Sequence, residues 1–212
     1  MTREVTLQKI SECGVVAVIR AQSCARLLNI ADALIKGGVT IIEVTMTTPR
    51  AISGIEDLVD ARGEKAVIGV GTVLDISTCA GTIAAGAEFV VSPVLNTGII
   101  ETTRKLGKVS IPGSLTPTEI LTAWSAGADI VKVFPAITMG PRYLNELLGP
   151  MPFLRLIPTG GVTVENASQW IQAGAAAVGT LVSEEALCVE DWDGITALAR
   201  QWVDVVTAAR AR

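Results

Sequence analysis

Four times along this 212-residue chain, a helix-like stretch ends in glycine and passes at once into a short apolar run. Ile35-Lys36-Gly37-Gly38-Val39 leads into Ile41-Ile42-Glu43-Val44, and Ala85-Gly86-Ala87 into Phe89-Val90-Val91. Ala126-Gly127-Ala128 precedes Ile130-Val131, and Ala173-Gly174-Ala175 precedes Ala177-Val178-Gly179. Glycine just past a helix supplies the left-handed turn that returns the chain to a sheet. Strands that alternate with helices pair in parallel through crossovers. Further apolar runs from Val15 to Ile19, Ala66 to Val70, Val109 to Ile111 and Leu154 to Ile157 fill the gaps. Together they put eight strand starts near residues 15, 39, 66, 88, 109, 130, 155 and 176, spaced 21 to 27 residues apart. Eight evenly spaced units predict an α/β fold, a single compact (β/α)8 TIM barrel occupying residues 1–212 as one domain. Residues before Val15 predict an extra N-terminal helix, and Asp191 to Ala209 a terminal one. An open doubly wound sheet is the alternative. It would carry a glycine-rich dinucleotide fingerprint, and Gly69-Val70-Gly71-Thr72 lacks the third glycine at the needed offset.

Composition narrows the chemistry. The chain has no histidine, which removes Ser-His and Cys-His nucleophile pairs and histidine-based metal sites. Cys13, Cys24, Cys79 and Cys188 are scattered, with no Cys-x-x-Cys pair, and read as free thiols in a reducing compartment. A net charge of −4 without a basic block argues against nucleic acid, while a small anionic substrate remains compatible with a locally positive pocket. With no long apolar stretch, the expectation is a soluble cytoplasmic protein that uses no membrane, metal or cofactor.

One residue breaks the apolar pattern. Lys132 lies in Asp129-Ile130-Val131-Lys132-Val133-Phe134-Pro135, a buried-strand pattern carrying one amine. Burial disfavours an ammonium, and a neutral amine is a nucleophile toward carbonyl carbon. The competing reading is a lysine whose stem packs while its head snorkels to water or meets a structural ion pair. Alternation along the strand puts Ile130, Lys132 and Phe134 on the inner face, and Val131 and Val133 toward the helices. By the same rule Ile41 and Glu43 share a face. In a barrel the chemistry gathers at the carboxyl ends of the strands. Arg20, Glu43, Thr72, Ser92-Pro93, Pro112-Gly113, Lys132 and Pro158-Thr159-Gly160-Gly161 all fall there. Arg20, Glu43 and Lys132 are expected to meet at one end of an apolar interior, the Arg20 cation helping to lower the lysine pKa.

The roles follow from that constellation. Lys132 would form an iminium with a 2-oxo acid, and Glu43 would move protons in place of the absent histidine. Arg20 and the Thr72 hydroxyl would bind the substrate carboxylate. Thr159-Gly160-Gly161-Val162 reads as a backbone cradle for phosphate, since barrel phosphate sites lie after strands seven and eight. Pro93 and Phe134 complete the substrate-binding set at the same rim. A phosphosugar epimerase or synthase on a similar small barrel, and an inactive oligomeric scaffold, are the rival readings.

The chain resembles the 2-dehydro-3-deoxy-phosphogluconate / 4-hydroxy-2-oxoglutarate aldolase family over nearly its whole length. The matching segments are Val16-Ala17-Val18-Ile19-Arg20, Gly38 to Thr45, Ile68-Gly69-Val70-Gly71-Thr72-Val73, Phe89 to Pro93, Ile111-Pro112-Gly113, Val131-Lys132-Val133-Phe134-Pro135 and Pro158 to Val162. The resemblance implies a class I aldolase with a Schiff-base lysine at Lys132 and a proton-transfer carboxylate at Glu43. It further implies carboxylate contacts from Arg20 and Thr72, phosphate contacts near Gly160 and Gly161, a 2-oxo acid as small-molecule partner, and a homotrimer. Two positions depart from the pattern. Thr47 stands where some members carry arginine, and Leu181-Val182 stand where a Gly-Ser pair usually helps hold phosphate, with Ser183 able to compensate through a shifted loop. Weakened preference for a phosphorylated aldehyde is the expectation.

Overall fold

The computed structural model describes residues 1–182, 186–187 and 189–211, with Leu181 described by its backbone alone. Helix α1 (Arg3–Cys13) precedes strand β1 (Val15–Ile19). The chain continues through α2 (Leu27–Lys36), β2 (Ile41–Thr45), α3 (Ala51–Arg62), β3 (Val67–Gly71), α4 (Ile76–Ala84), β4 (Phe89–Val91), α5 (Thr97–Lys105) and β5 (Val109–Ile111). It then forms the short β6 (Gly113–Ser114), α6 (Pro117–Ser125), β7 (Val131–Val133), α7 (Arg142–Leu148), β8 (Leu156–Pro158), α8 (Val164–Gln172), β9 (Val178–Leu181) and α9 (Trp192–Arg210). Short 3-10 turns occupy Cys24–Arg26 and Ala136–Thr138.

The glycine repeat does what its chemistry requires. Gly38, Gly86, Gly127 and Gly174 have φ of 95°, 97°, 96° and 97°, one left-handed turn used four times to bring a helix end back to a strand.

Among the described residues all strand pairing is parallel. Six strands run in the order β5-β4-β3-β2-β1-β9 and three in the order β6-β7-β8. The fifth strand expected from sequence is split in two at Pro112, which has no N–H to give to a ladder. Hydrogen bonds nevertheless continue across the break: Asp129 N donates to Ser110 O at 3.1 Å, and Lys132 N to Pro112 O at 2.9 Å. At the other boundary Ala176 N donates to Leu156 O at 2.9 Å, and Thr159 and Gly179 form an isolated parallel bridge. The result is an α/β fold built on a curled parallel sheet.

Residue parity divides the apolar side chains into two layers. Val16, Ile41, Phe89, Ile130 and Ile157 pack together on the concave side, while Ile42, Val44, Val131 and Val133 pack outward with the helices. The alternation expected around Lys132 and Glu43 is therefore the observed one. Helix α1 plugs the amino-terminal end of this interior by inserting Ile10, which is fully buried among the inward residues. Arg3 pins the plug: its guanidinium pairs with the buried Asp129, whose other oxygen accepts Ser110 N at 2.9 Å. With that end filled, open space is left at the carboxyl ends of the strands. Among the described residues, no helix is long and apolar enough to cross a membrane.

Candidate active site

At that open end lies a cavity of about 350 Å³ lined by Arg20, Glu43, Thr72, Pro93, Lys132, Phe134, Thr159, Gly160 and Gly161. All nine residues singled out from sequence thus border one space. Lys132 is 7% exposed and Glu43 3%, so both ionisable groups lie inside the curl of the sheet. They arrive there by register. Lys132 pairs with Gly113 on one side and Ile157 on the other, and Glu43 with Val18 and Gly69. The Phe134 ring, two residues along the same face, has its centroid 5.1 Å from the lysine Nζ and screens that side of the amine. Burial holds the Glu43 carboxyl above its ordinary pKa, and the attraction of Lys132 offsets only part of that cost. A carboxyl whose protonated form is favoured by burial can donate a proton as well as accept one. An amine and a proton-exchanging carboxyl in one apolar pocket suit covalent carbonyl chemistry.

Glu43 fits because Gly71 has no side chain. A Cβ built at Gly71 would fall on Glu43 Oε1. Nothing in the sequence pattern around Gly71 signals this role, because the contact is made across strands. Gly71→Ala is expected to displace the carboxylate and lower kcat by about 10- to 100-fold. Covalent trapping of a 2-oxo acid at the lysine should persist, as steady-state kinetics beside borohydride reduction would reveal. Retained wild-type kcat would mean the carboxylate tolerates relocation.

Arg20 meets Glu43 and Lys132 at that end as expected, though it does not share their burial. It lines the cavity, yet it is exposed at the rim and has no ion-pair or hydrogen-bond partner among the described residues. The charge felt by Glu43 is that of Lys132. The reason is positional: Arg20 lies just beyond the end of β1, one step outside the ladder that buries Glu43 and Lys132. Thr72 is likewise just past β3, and its φ of 60° puts a β-branched residue in the left-handed region. Its neighbours hold it there, with Met46 N donating to Gly71 O at 2.8 Å and Val73 N to Val91 O at 3.2 Å. Such strain persists only where surrounding structure over-determines it, and it concentrates at ligand sites.

The Thr159-Gly160-Gly161 turn faces the same cavity. Gly160 and Gly161 have φ of 85° and 82°. The carbonyls of Thr159 and Gly160 accept Ala136 N and Ile137 N, each at 2.9 Å, and Gly161 O accepts the Asn166 side chain at 3.0 Å. With the acceptors used, the N–H groups of Gly161 and Val162 have no partner among the described residues, which is the polarity an anion requires. Of the Leu181-Val182 pair that stands where Gly-Ser was expected to help hold phosphate, Val182 is buried and turns away from the rim, lining a separate space with Val15, Ala17 and Leu34 against α2 and α9. The Leu181 side chain and Ser183 lie outside the described residues. Thr45, Val18 and Gly179 also line the site and were not singled out from sequence.

Residues 7–198 match the family described as "Aldolase: KDPG and KHG aldolase". The chain is 34% identical to 2-dehydro-3-deoxy-6-phosphogalactonate aldolase of Escherichia coli strain K12, over 82% of this chain and 85% of that protein. It is 30% identical to 2-dehydro-3-deoxy-phosphogluconate aldolase of Haemophilus influenzae, over 97% of this chain and 98% of that protein. Among solved structures it superposes with a TM-score of 0.85 and 30% identity on KDPG aldolase from Legionella pneumophila, covering 91% of this chain and 95% of that one. That crystal structure holds pyruvate captured at low pH as a covalent carbinolamine intermediate.

Proposed function

The chain belongs to the KDPG and KHG aldolase family, and from that premise we propose how its own residues carry out class I aldol cleavage. The substrate is a 2-keto-3-deoxy-6-phospho-sugar acid or 4-hydroxy-2-oxoglutarate. The products are pyruvate and an aldehyde, glyceraldehyde 3-phosphate or glyoxylate. The observation that carries the assignment is the burial of Lys132 and Glu43 in one cavity, with each within electrostatic reach of the other.

In the cleavage direction the Lys132 amine adds to the C2 ketone, and the carbinolamine loses water to give an iminium. Glu43, as carboxylate, takes the proton of the C4 hydroxyl. The C3–C4 bond then breaks, the aldehyde departs, and the bonding pair passes to the iminium to form an enamine. Glu43 returns the proton to C3, and one water hydrolyses the new iminium to pyruvate and the free amine. Arg20 and the Thr72 hydroxyl hold the carboxylate of the 2-oxo acid, by charge-assisted hydrogen bonds in the case of Arg20. Pro93 and Phe134 wall the pyruvate end. Thr159, Gly160 and Gly161 receive the far end, and the unpartnered N–H groups of Gly161 and Val162 support an anionic group there.

We read residues 1–212 as one domain and the two sheets as one closed (β/α)8 barrel. The hydrogen bonds that cross Pro112 and the Thr159–Gly179 bridge support this. Homotrimeric assembly follows the family, and exposed Leu74, Ile76 and Val94 near the cavity end supply apolar surface for it. A cytoplasmic location accords with the free thiols of Cys13, Cys24 and Cys79.

Borohydride reduction of the protein incubated with pyruvate, followed by peptide mapping, tests the assignment. A stable adduct on Lys132 is the expected result. An unmodified protein that still turns over would exclude the covalent route. Comparing kcat/KM for glyceraldehyde 3-phosphate and unphosphorylated glyceraldehyde in the condensation direction tests the far end. Values of similar size are expected given Leu181-Val182, and a large preference for the phosphorylated aldehyde would overturn that reading.

A further inference from the structure

A planar peptide leaves a residue two soft dihedrals, φ and ψ. Fixing the peptide planes before and after a residue therefore fixes the direction in which its side chain leaves the backbone. Arg20 is bounded in this way by two threonines of the β2 end. Thr45 Oγ1 donates to Ile19 O at 3.1 Å, which fixes the plane before Arg20. Ala21 N donates to Thr48 Oγ1 at 3.2 Å, which fixes the plane after it. Thr45 is 1% and Thr48 2% exposed, so water cannot replace either bond if the hydroxyl is lost. The two threonines are themselves coupled, since Thr48 N donates to Thr45 O at 2.9 Å. Thr47 Oγ1 lies 2.8 Å from Thr45 Oγ1 and extends the network toward the rim.

Arg20 needs this support. Its own guanidinium has no partner among the described residues, so nothing at the tip of the side chain sets its course. We propose that Thr45 and Thr48 are positioning residues that clamp the backbone on both sides of Arg20 and aim its guanidinium at the substrate carboxylate. The clamp rests on the reading of Arg20 as the carboxylate-binding residue. It assigns a function to the Thr45–Thr48 turn, in which Thr47 stands where some members of the resembled family carry arginine. Thr48 borders no part of the cavity, so it touches no substrate itself, and its hydroxyl reaches the site through the peptide that follows Arg20.

The test uses Thr48→Val, which keeps the volume and removes the acceptor, with Thr48→Ser as rescue. KM for pyruvate is measured in the condensation direction with saturating glyoxylate. Thr48→Val is expected to raise KM about fivefold or more while kcat stays within about twofold, and Thr48→Ser to restore KM. The same substitution is then made in an Arg20→Met background. If the clamp acts through Arg20, Thr48→Val adds nothing there, because the side chain it aims is gone. An equal KM increase in both backgrounds, or a fall in kcat at unchanged KM, identifies Thr48 as a structural residue and overturns the clamp. An Arg20→Met protein with wild-type KM overturns the assignment of Arg20, and the clamp with it, whatever Thr48→Val does.

Discussion

Lys132→Met is expected to abolish both turnover and covalent trapping, with kcat falling by about four orders of magnitude or more. Methionine keeps the unbranched stem and nearly the volume, so β7 should pack as before, and no other described residue supplies a buried amine to the cavity. The substitution also removes the charge that offsets part of the burial cost of Glu43, so the melting temperature is measured beside kcat to show that the variant remains folded. Loss of activity in a stable protein would then be chemical rather than structural. A Lys132→Met protein that retained substantial turnover would favour the carboxylate-driven epimerase or synthase reading.

Glu43→Gln should lower kcat by about 10²- to 10⁴-fold while Lys132 can still be trapped with pyruvate. The amide has nearly the shape of the carboxyl and fits beside Gly71, but it cannot shuttle a proton. A stability signature accompanies the kinetic one. Burial raises the Glu43 pKa in the folded chain above the value of 4.5 ordinary for glutamate, with the Lys132 charge opposing. The folded state therefore keeps a proton that the unfolded state has released. Stability from this group is fully present below the ordinary carboxylate range and is lost as pH rises through the raised value. Glutamine does not titrate. The melting temperature of Glu43→Gln relative to the parent should consequently climb as pH is taken from about 4 to about 8. A difference that stayed flat across that window would mean the carboxyl is not held by burial.

Much of this site was readable along the chain. Glycine followed by a short apolar run located the helix-to-strand turns, and every observed strand start except that of β6 falls within two residues of its expected position. Period-two alternation then put Lys132 and Glu43 on the inner face, because side-chain direction in a strand depends only on residue parity. The split of the fifth strand at Pro112 was available in principle, since proline lacks the N–H a ladder uses. Other features were not legible. Gly71 looked like a fragment of a motif until the Glu43 carboxyl was seen leaning over it. Arg20 shares the inward parity of Val16 and Val18, yet it stands at the rim because β1 ends before it.

What the sequence determined by itself was local and periodic: turn chemistry, strand spacing, the inward facing of an amine and a carboxyl, and the restriction of proton transfer to carboxylates in a chain without histidine. The tertiary structure decided which strand's residue meets which. The stagger between neighbouring strands brings Glu43 over Gly71 rather than over Gly69, its partner in register. That same stagger sets the threonine hydroxyls of the β2 end against the peptides around Arg20, and the direction of β9 turns Val182 toward the helices. Those meetings depend on relative register and curl of separate strands, which are set when the inward layer is packed as a whole and leave no mark on the pattern of any one segment.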